Sequence, residues 1–114
     1  MDDKMLNKSL ALAAGFELAA FMHETELFTH LGLPKNSFYD CPEFTQSLDA
    51  CFKWLVPKLK ELDPNTRIEF QSNQVSIFRS NPADDDFPTK FWASAWADTP
   101  ALALCRAVEK ILIA

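Results

Sequence analysis

Residues 89–96 read TKFWASAW, and they constrain the fold more tightly than any other segment. Alternate residues of a strand point to opposite faces. Phe91, Ala93 and Ala95 then line one face, and Trp92, Ser94 and Trp96 line the other. Both sets are largely apolar, so this strand belongs in a sheet covered on both sides. Upstream, RIEFQ at 67–71 alternates polar and apolar residues, with Ile68 and Phe70 inward. VSIFRS at 75–80 reads as the returning strand, and SNQ as a tight turn in which Asn73 tolerates a left-handed backbone. The three segments form a small three-stranded antiparallel sheet. The first two strands are neighbours, and the third is free to pair with either.

Helices are expected on both sides of this sheet. From about Asp3 to Met22, Leu6, Leu10, Ala13, Ala14, Leu18 and Phe21 recur at three- and four-residue steps. One helix is expected over that span, with Gly15 either weakening it or admitting a close neighbour. A second helix starts near Thr45 or Ser47 as cap. Its buried stripe is Leu48, Cys51, Phe52, Leu55 and Leu59, and Pro57 should kink or tighten the last turn. A final helix opens with Asp98, Thr99 as cap and Pro100 in the first turn. It buries Ala101, Leu104, Cys105, Val108 and Leu112. Between the first two helices, residues 31–44 read as a loop rich in turn formers that carries Phe38, Tyr39 and Phe44. The order is α-α-β-β-β-α. The fold class is α+β: one domain over residues 1–114, built as a three-layer α/β/α sandwich.

Composition removes several classes of function. Sixteen acidic residues against eleven scattered basic ones give a net charge of −5, so no basic footprint for nucleic acid exists. LALAAGFELAAFM is too short to span a bilayer and carries Glu17, so no membrane segment is expected. Cys41, Cys51 and Cys105 are odd in number and widely spaced, which suits reduced thiols in a cytoplasmic protein. With two glycines in the chain there is no phosphate-cradling loop, and no Ser-His-Asp set is apparent. No cofactor and no catalysis are expected.

The one segment dense in potential ligands is HETELFTH at 23–30. His23 and His30 stand seven apart, roughly 10 Å along a helix, whereas a zinc helix sets its histidines one turn apart. Glu26 and His30 alone make a weak site. The segment reads as the end of the first helix, with no metal. In NPADDDFP at 81–88, three consecutive aspartates point in different directions and do not match a calcium loop. Cys41, in the loop, is the most plausible reactive thiol. Trp92 and Trp96 on one strand face could stack a planar ligand, and core packing is the competing role.

The segments SLDACFKWLVPKL (47–59) and ADTPALALCRAVEKIL (97–112), with a hairpin between them, carry a resemblance. Ser47, Leu48, Ala50 and Trp54 of the second helix, and the strand-to-helix junction Ala97 to Ala107, resemble the phage ABA-sandwich domain family. These are small proteins of phage genomes and prophages. The resemblance implies a small accessory protein in the bacterial host cytoplasm that binds a host or phage protein without catalysis. Contacts are then expected from the aromatic loop, Phe38 and Tyr39, and from the acidic loop, Asp84, Asp85 and Asp86. Two other readings stand beside it. One is a small-molecule or nucleotide-binding domain, possibly an enzyme, using Trp92, Trp96 or His30. The other is a structural or self-associating domain, a monomer or weak homodimer, favoured if a strand edge or apolar patch is exposed.

Overall fold

The structure, a computed structural model, describes residues 2–22, 25–34, 37–81, 83, 86 and 89–113. The protein is α+β, with two small antiparallel three-stranded sheets where one was expected. The first helix, α1 (Asp3–Ala13), is followed by β1 (Glu17–Met22), β2 (Thr25–Thr29) and β3 (Tyr39–Asp40). A 3-10 turn (Phe44–Gln46) leads into α2 (Leu48–Ala50), a π-helical segment (Cys51–Leu55) and α3 (Val56–Leu62), which run on as one rod. Then come β4 (Arg67–Gln71), β5 (Gln74–Ser80), β6 (Thr89–Trp96) and α4 (Pro100–Leu112). The expected order α-α-β-β-β-α is therefore corrected by three strands inserted after the first helix.

The long first helix is corrected as well. It stops at Ala13, and the cause is Gly15 at φ +98°. The Phe16 N–H bonds to the Ala11 carbonyl at 3.0 Å and the Gly15 N–H to the Leu12 carbonyl at 3.2 Å. These two bonds close a Schellman cap, which needs a left-handed residue at the glycine position. The chain then turns back as a strand, and Thr25–Thr29 of HETELFTH form β2 instead of ending a helix. The expected loop at 31–44 is interrupted by β3, which pairs with β2 through Leu27–Asp40 and Phe28–Tyr39.

The second sheet follows the sequence closely. Its order is β4-β5-β6, so the third strand pairs with β5. In the β4–β5 turn the left-handed residue is Ser72 (φ 56°), not Asn73. Asn73 instead donates its side-chain amide to the Asp98 carbonyl at 3.1 Å and accepts from the Ala97 N–H at 3.2 Å, tying the turn to the start of α4. Thr99 caps α4 as expected, accepting from the Leu102 N–H, and Ser47 caps α2 in the same way. Pro57 widens the rod upstream and does not tighten its last turn. The Val56 N–H bonds five residues back to the Cys51 carbonyl, and Pro57, inside the continuous rod, follows this π-helical turn.

The core joins Leu6 and Leu10 of α1, Phe28 of β2, Phe44, Leu55 and Leu59 of the rod region, Val75 and Ile77 of β5, and Leu104 and Val108 of α4. α4 lies on β5 and β6. The opposite face of that sheet was expected to be covered, yet Phe91 is 61% and Trp96 65% exposed. Phe52 of the predicted stripe and Phe70, expected inward on β4, are also exposed, their rings 6.1 Å apart.

Asp63 ends α3 and fastens it to β5. Its carboxylate accepts from the Ser80 hydroxyl (2.7 Å), the Ser80 N–H (2.8 Å) and the Asn65 N–H (3.0 Å). The Ser80 hydroxyl, then the Ser80 N–H, hold this carboxyl below its ordinary value of 3.8, partly opposed by burial. Because the folded value is depressed, the stabilisation is full above that ordinary value and is lost as pH falls through the lower folded value. Asp63→Asn should therefore lower the urea midpoint at pH 7, and the gap from wild type should close in acid. Equal midpoints at pH 7 would remove this network from the account.

Candidate functional site

His30, the last residue of HETELFTH, lies just past β2. Its Nδ1 is 2.8 Å from the Gly32 N–H, and its Nε2 is 3.0 Å from the Ala14 carbonyl. A backbone N–H can only donate and a backbone carbonyl can only accept. The ring is therefore the neutral tautomer with its proton on Nε2. Nε2–H takes the carbonyl left open at the end of α1, and Nδ1 closes the turn that follows β2. Both ring nitrogens are occupied, so in this arrangement His30 is neither a base nor a metal ligand.

The same ring sits between two aromatic side chains. Its centroid is 4.6 Å from Phe16 and 4.6 Å from Trp54, and those two rings are 4.9 Å apart, edge to face. Lys53 places its ammonium 5.0 Å from the Trp54 ring centre. Both glycines of the chain adjoin the imidazole. A Cβ on Gly15 would meet Nε2 at 3.3 Å, and one on Gly32 would meet Nδ1 at 3.1 Å. Gly15, expected to weaken the helix or to admit a close neighbour, ends the helix outright and also admits the imidazole.

This latch holds the turn at 30–33, which the Leu33 N–H closes on the His30 carbonyl at 3.0 Å. Leu33 packs toward the core, whereas Leu31 is wholly exposed (101%). A cleft of about 320 Å³ lies beside it, between Gly15, Glu17 and Thr29 on one wall and Leu31, Leu33 and Pro34 on the other. Phe38, of the predicted aromatic loop, is exposed further along the same connection. Tyr39 is half-buried in β3 opposite Phe28. Sequence reasoning passed over Leu31. The only signal for it was the placement of the two glycines about the segment.

A second cleft, about 410 Å³, separates α1 from the first sheet. Phe28 lies at its floor and Met5 and Phe21 at its rim, and the Lys8–Glu26 ion pair (2.8 Å) crosses it. Cys41 opens into this cleft. Burial first, then the Glu26 charge, push its thiol up to about 11, with Lys8 opposing in part. At neutral pH it is a protonated thiol and a poor nucleophile. Cys51 and Cys105 are fully buried with sulfurs 3.6 Å apart. The Cys51 thiol donates to the Phe44 carbonyl, which leaves Cys105 as donor to Cys51; that bond, then burial, pushes the Cys105 thiol far up.

The structure does not assemble Trp92 and Trp96 into one platform. A bulge in β6 pairs Ile77 with Ala93 and Phe78 with Phe91, leaving Trp92 unpaired between them. Trp92 packs toward the core under the Arg79 guanidinium at 4.8 Å, whereas Trp96 is exposed. Asp86 is exposed. Asp84, Asp85 and His23 lie outside the described residues. Among the described residues, no group of three or more His, Cys, Asp or Glu could hold a metal ion, and no helix is long and apolar enough to cross a membrane. Comparisons with protein-family models, curated proteins and solved structures found nothing that matches this chain.

Proposed function

We propose that this chain is a small phage- or prophage-derived accessory protein that acts in the host cytoplasm by binding another protein, without catalysis. The observation that carries the binding reading is Leu31. A wholly exposed leucine stands on a turn held by two hydrogen bonds to one imidazole and by a third across the turn itself. A turn fixed in this way loses little conformational entropy on docking, so it can present an apolar anchor to a socket on a partner. Phe38 on the same connection adds contact area. The phage context rests on the resemblance of 47–59 and 97–112, and the three-layer sandwich belongs with it. α4 against β5 and β6 supports one helical layer of that sandwich, and the exposed Phe91 and Trp96 count against a second among the described residues.

Leu31→Asp tests the reading. The side chain touches little, so folding stability should change by no more than about 0.5 kcal/mol. Recovery of the partner on immobilised protein from a bacterial lysate should fall by about tenfold, the loss of roughly 1.4 kcal/mol of binding. A partner retained equally by wild type and variant would sink the role of Leu31. A small-molecule reading is favoured by one feature, the cleft beneath α1, where Lys8 and Glu26 stand over apolar Phe28. Thermal-shift screening with metabolites and nucleotides addresses it.

A further inference from the structure

Two thiols meet in the core. Cys51 and Cys105 are both fully buried, and their sulfurs stand 3.6 Å apart. Ser47 and Thr99 cap the two helix starts, and each cysteine falls within two turns of its cap. The contact therefore joins the beginning of the rod to the beginning of α4. The hydrogen bonds run one way. The Cys105 thiol donates to the Cys51 sulfur, and the Cys51 thiol donates to the Phe44 carbonyl at 3.2 Å. A disulfide sets its sulfurs about 2.05 Å apart, so closure needs an approach of about 1.5 Å. α4 is regular at Cys105, whereas Cys51 opens the π-helical segment, so the rod is the element that can yield.

The 3-10 turn Phe44–Gln46 lies against this pair. It packs on α4 and supplies the carbonyl that holds the Cys51 thiol. A cleft opens on either side of the turn. One, about 380 Å³, separates Thr45 and Gln46 from Thr99, Pro100 and Ala101 at the start of α4. The other, about 440 Å³, separates the same two residues from Asp3, Lys4 and Asn7 of α1. The Thr45 N–H donates to the Asn7 side chain at 3.0 Å, while the buried Thr45 hydroxyl makes no hydrogen bond. A short turn held this lightly between two clefts opens locally more readily than the fold as a whole, and its opening would expose the sulfurs.

We propose that Cys51 and Cys105 are a site of oxidative modification, at which a small-molecule disulfide converts the pair to an intramolecular disulfide that staples the rod to α4. When the turn opens, one cysteine gives its proton to water, and its thiolate attacks a sulfur of the small disulfide. A mixed disulfide forms and one small thiolate leaves. The other cysteine, held at contact distance, loses its proton in turn, attacks the protein sulfur of the mixed disulfide and displaces the second small thiolate. Together the cysteines have lost two protons and two electrons. The small disulfide has gained the two electrons and, once protonated, departs as two thiols. The closed core is inert, because thiolate is the attacking species and a thiol buried in apolar surroundings stays protonated. Oxidation therefore follows opening, and the bond then opposes further opening. Among the described residues only these two thiols are in contact, so Cys41 has no partner with which to complete the second step. The pair is separate from Leu31, so the inference stands apart from the proposed function.

Incubation of the folded protein with glutathione disulfide tests it, followed by acid quench, alkylation, intact mass and peptide mapping without reductant. Wild type and Cys41→Ser are compared, and circular dichroism checks the fold of each. Cys41→Ser should lose two hydrogen atoms, leave no thiol to alkylate and yield one cross-linked peptide pair containing Cys51 and Cys105. In wild type the same bridge should form, whatever the state of Cys41. The bridged protein should unfold at a urea midpoint higher by about 1–3 M, the effect of closing a loop of this length. Dithiothreitol should return it to the reduced value. If Cys41→Ser fails to fold, the peptide map of wild type decides alone. Cys51 and Cys105 both still alkylated after prolonged incubation with excess oxidant overturns the proposal. So does a bridge that forms only in urea, a mixed disulfide that persists on either residue, or a bridge through Cys41. A bridged protein that unfolds at lower urea than the reduced one overturns the staple.

Discussion

Phe28→Ala should cost about 3–5 kcal/mol, the range for removing a fully buried phenylalanine. Phe28 is wholly buried in β2, the middle strand of the first sheet, and belongs to the same core as Leu10 and Leu104. Truncation would open a void between the sheet and α1 that neighbours on a regular helix and strand can fill only in part. A domain of this size has roughly 5–15 kcal/mol of stability in all, so a loss of this order changes the folded population visibly. Urea unfolding followed by both tryptophan fluorescence and circular dichroism gives the reading. The two probes should shift together to lower urea, with an unchanged slope. If the first sheet were an independent arm, only part of the circular dichroism signal would move. The tryptophan transition would then split, with Trp54, which packs on Phe16 and His30, following the arm while Trp92 and Trp96 stay in place.

His30→Ala should cost about 3–5 kcal/mol, from two hydrogen bonds at ~1 kcal/mol each and two ring contacts at ~0.5–1.5 kcal/mol each. The variant leaves the Ala14 carbonyl and the Gly32 N–H without their partner and removes the ring on which both Phe16 and Trp54 pack. Hydrogen exchange at the Gly32 amide distinguishes this from a general loss of stability. Its protection should fall further than that of amides in β5. His30→Asn should not restore it, since a shorter side chain cannot reach both partners. An alanine variant as stable as wild type would show that the latch is not what holds the turn. In that case the presentation of Leu31 would need another cause.

How far the residues announced this architecture differs along the chain. The segment from Ser47 onward was legible because each signal there is local. Ser47 and Thr99 cap their own helices, and Ile68 and Val75 each stand between polar neighbours. Pro100 sits in the first turn of α4, where a missing N–H does least harm. The first forty residues were misread because their apolar spacing suits a helix through Met22. Only a single glycine opposed that reading, and one glycine is a weak stop by itself. What makes it decisive is His30, fifteen residues later, whose ring fills the space beside Gly15 and bonds the last helical carbonyl.

The sites divide in the same way. The tryptophan pair was inferred from strict two-residue alternation, and a bulge, which no composition signals, sent Trp92 and Trp96 to different surroundings. The aromatic loop was recognised as a surface, but its exposed anchor, Leu31, became visible only once the imidazole latch was seen. By itself the sequence determined the α+β class, the β4–β5 hairpin, the capped closing helix and an acidic chain without a basic footprint, because each depends on neighbours within a few positions or on composition alone. Only the tertiary structure decided where α1 ends, that a second sheet exists, which histidine nitrogen holds the proton and which face stays open. Those depend on contacts between residues distant in sequence, such as His30 with Ala14 and Trp54, and pattern within a segment carries no information about them.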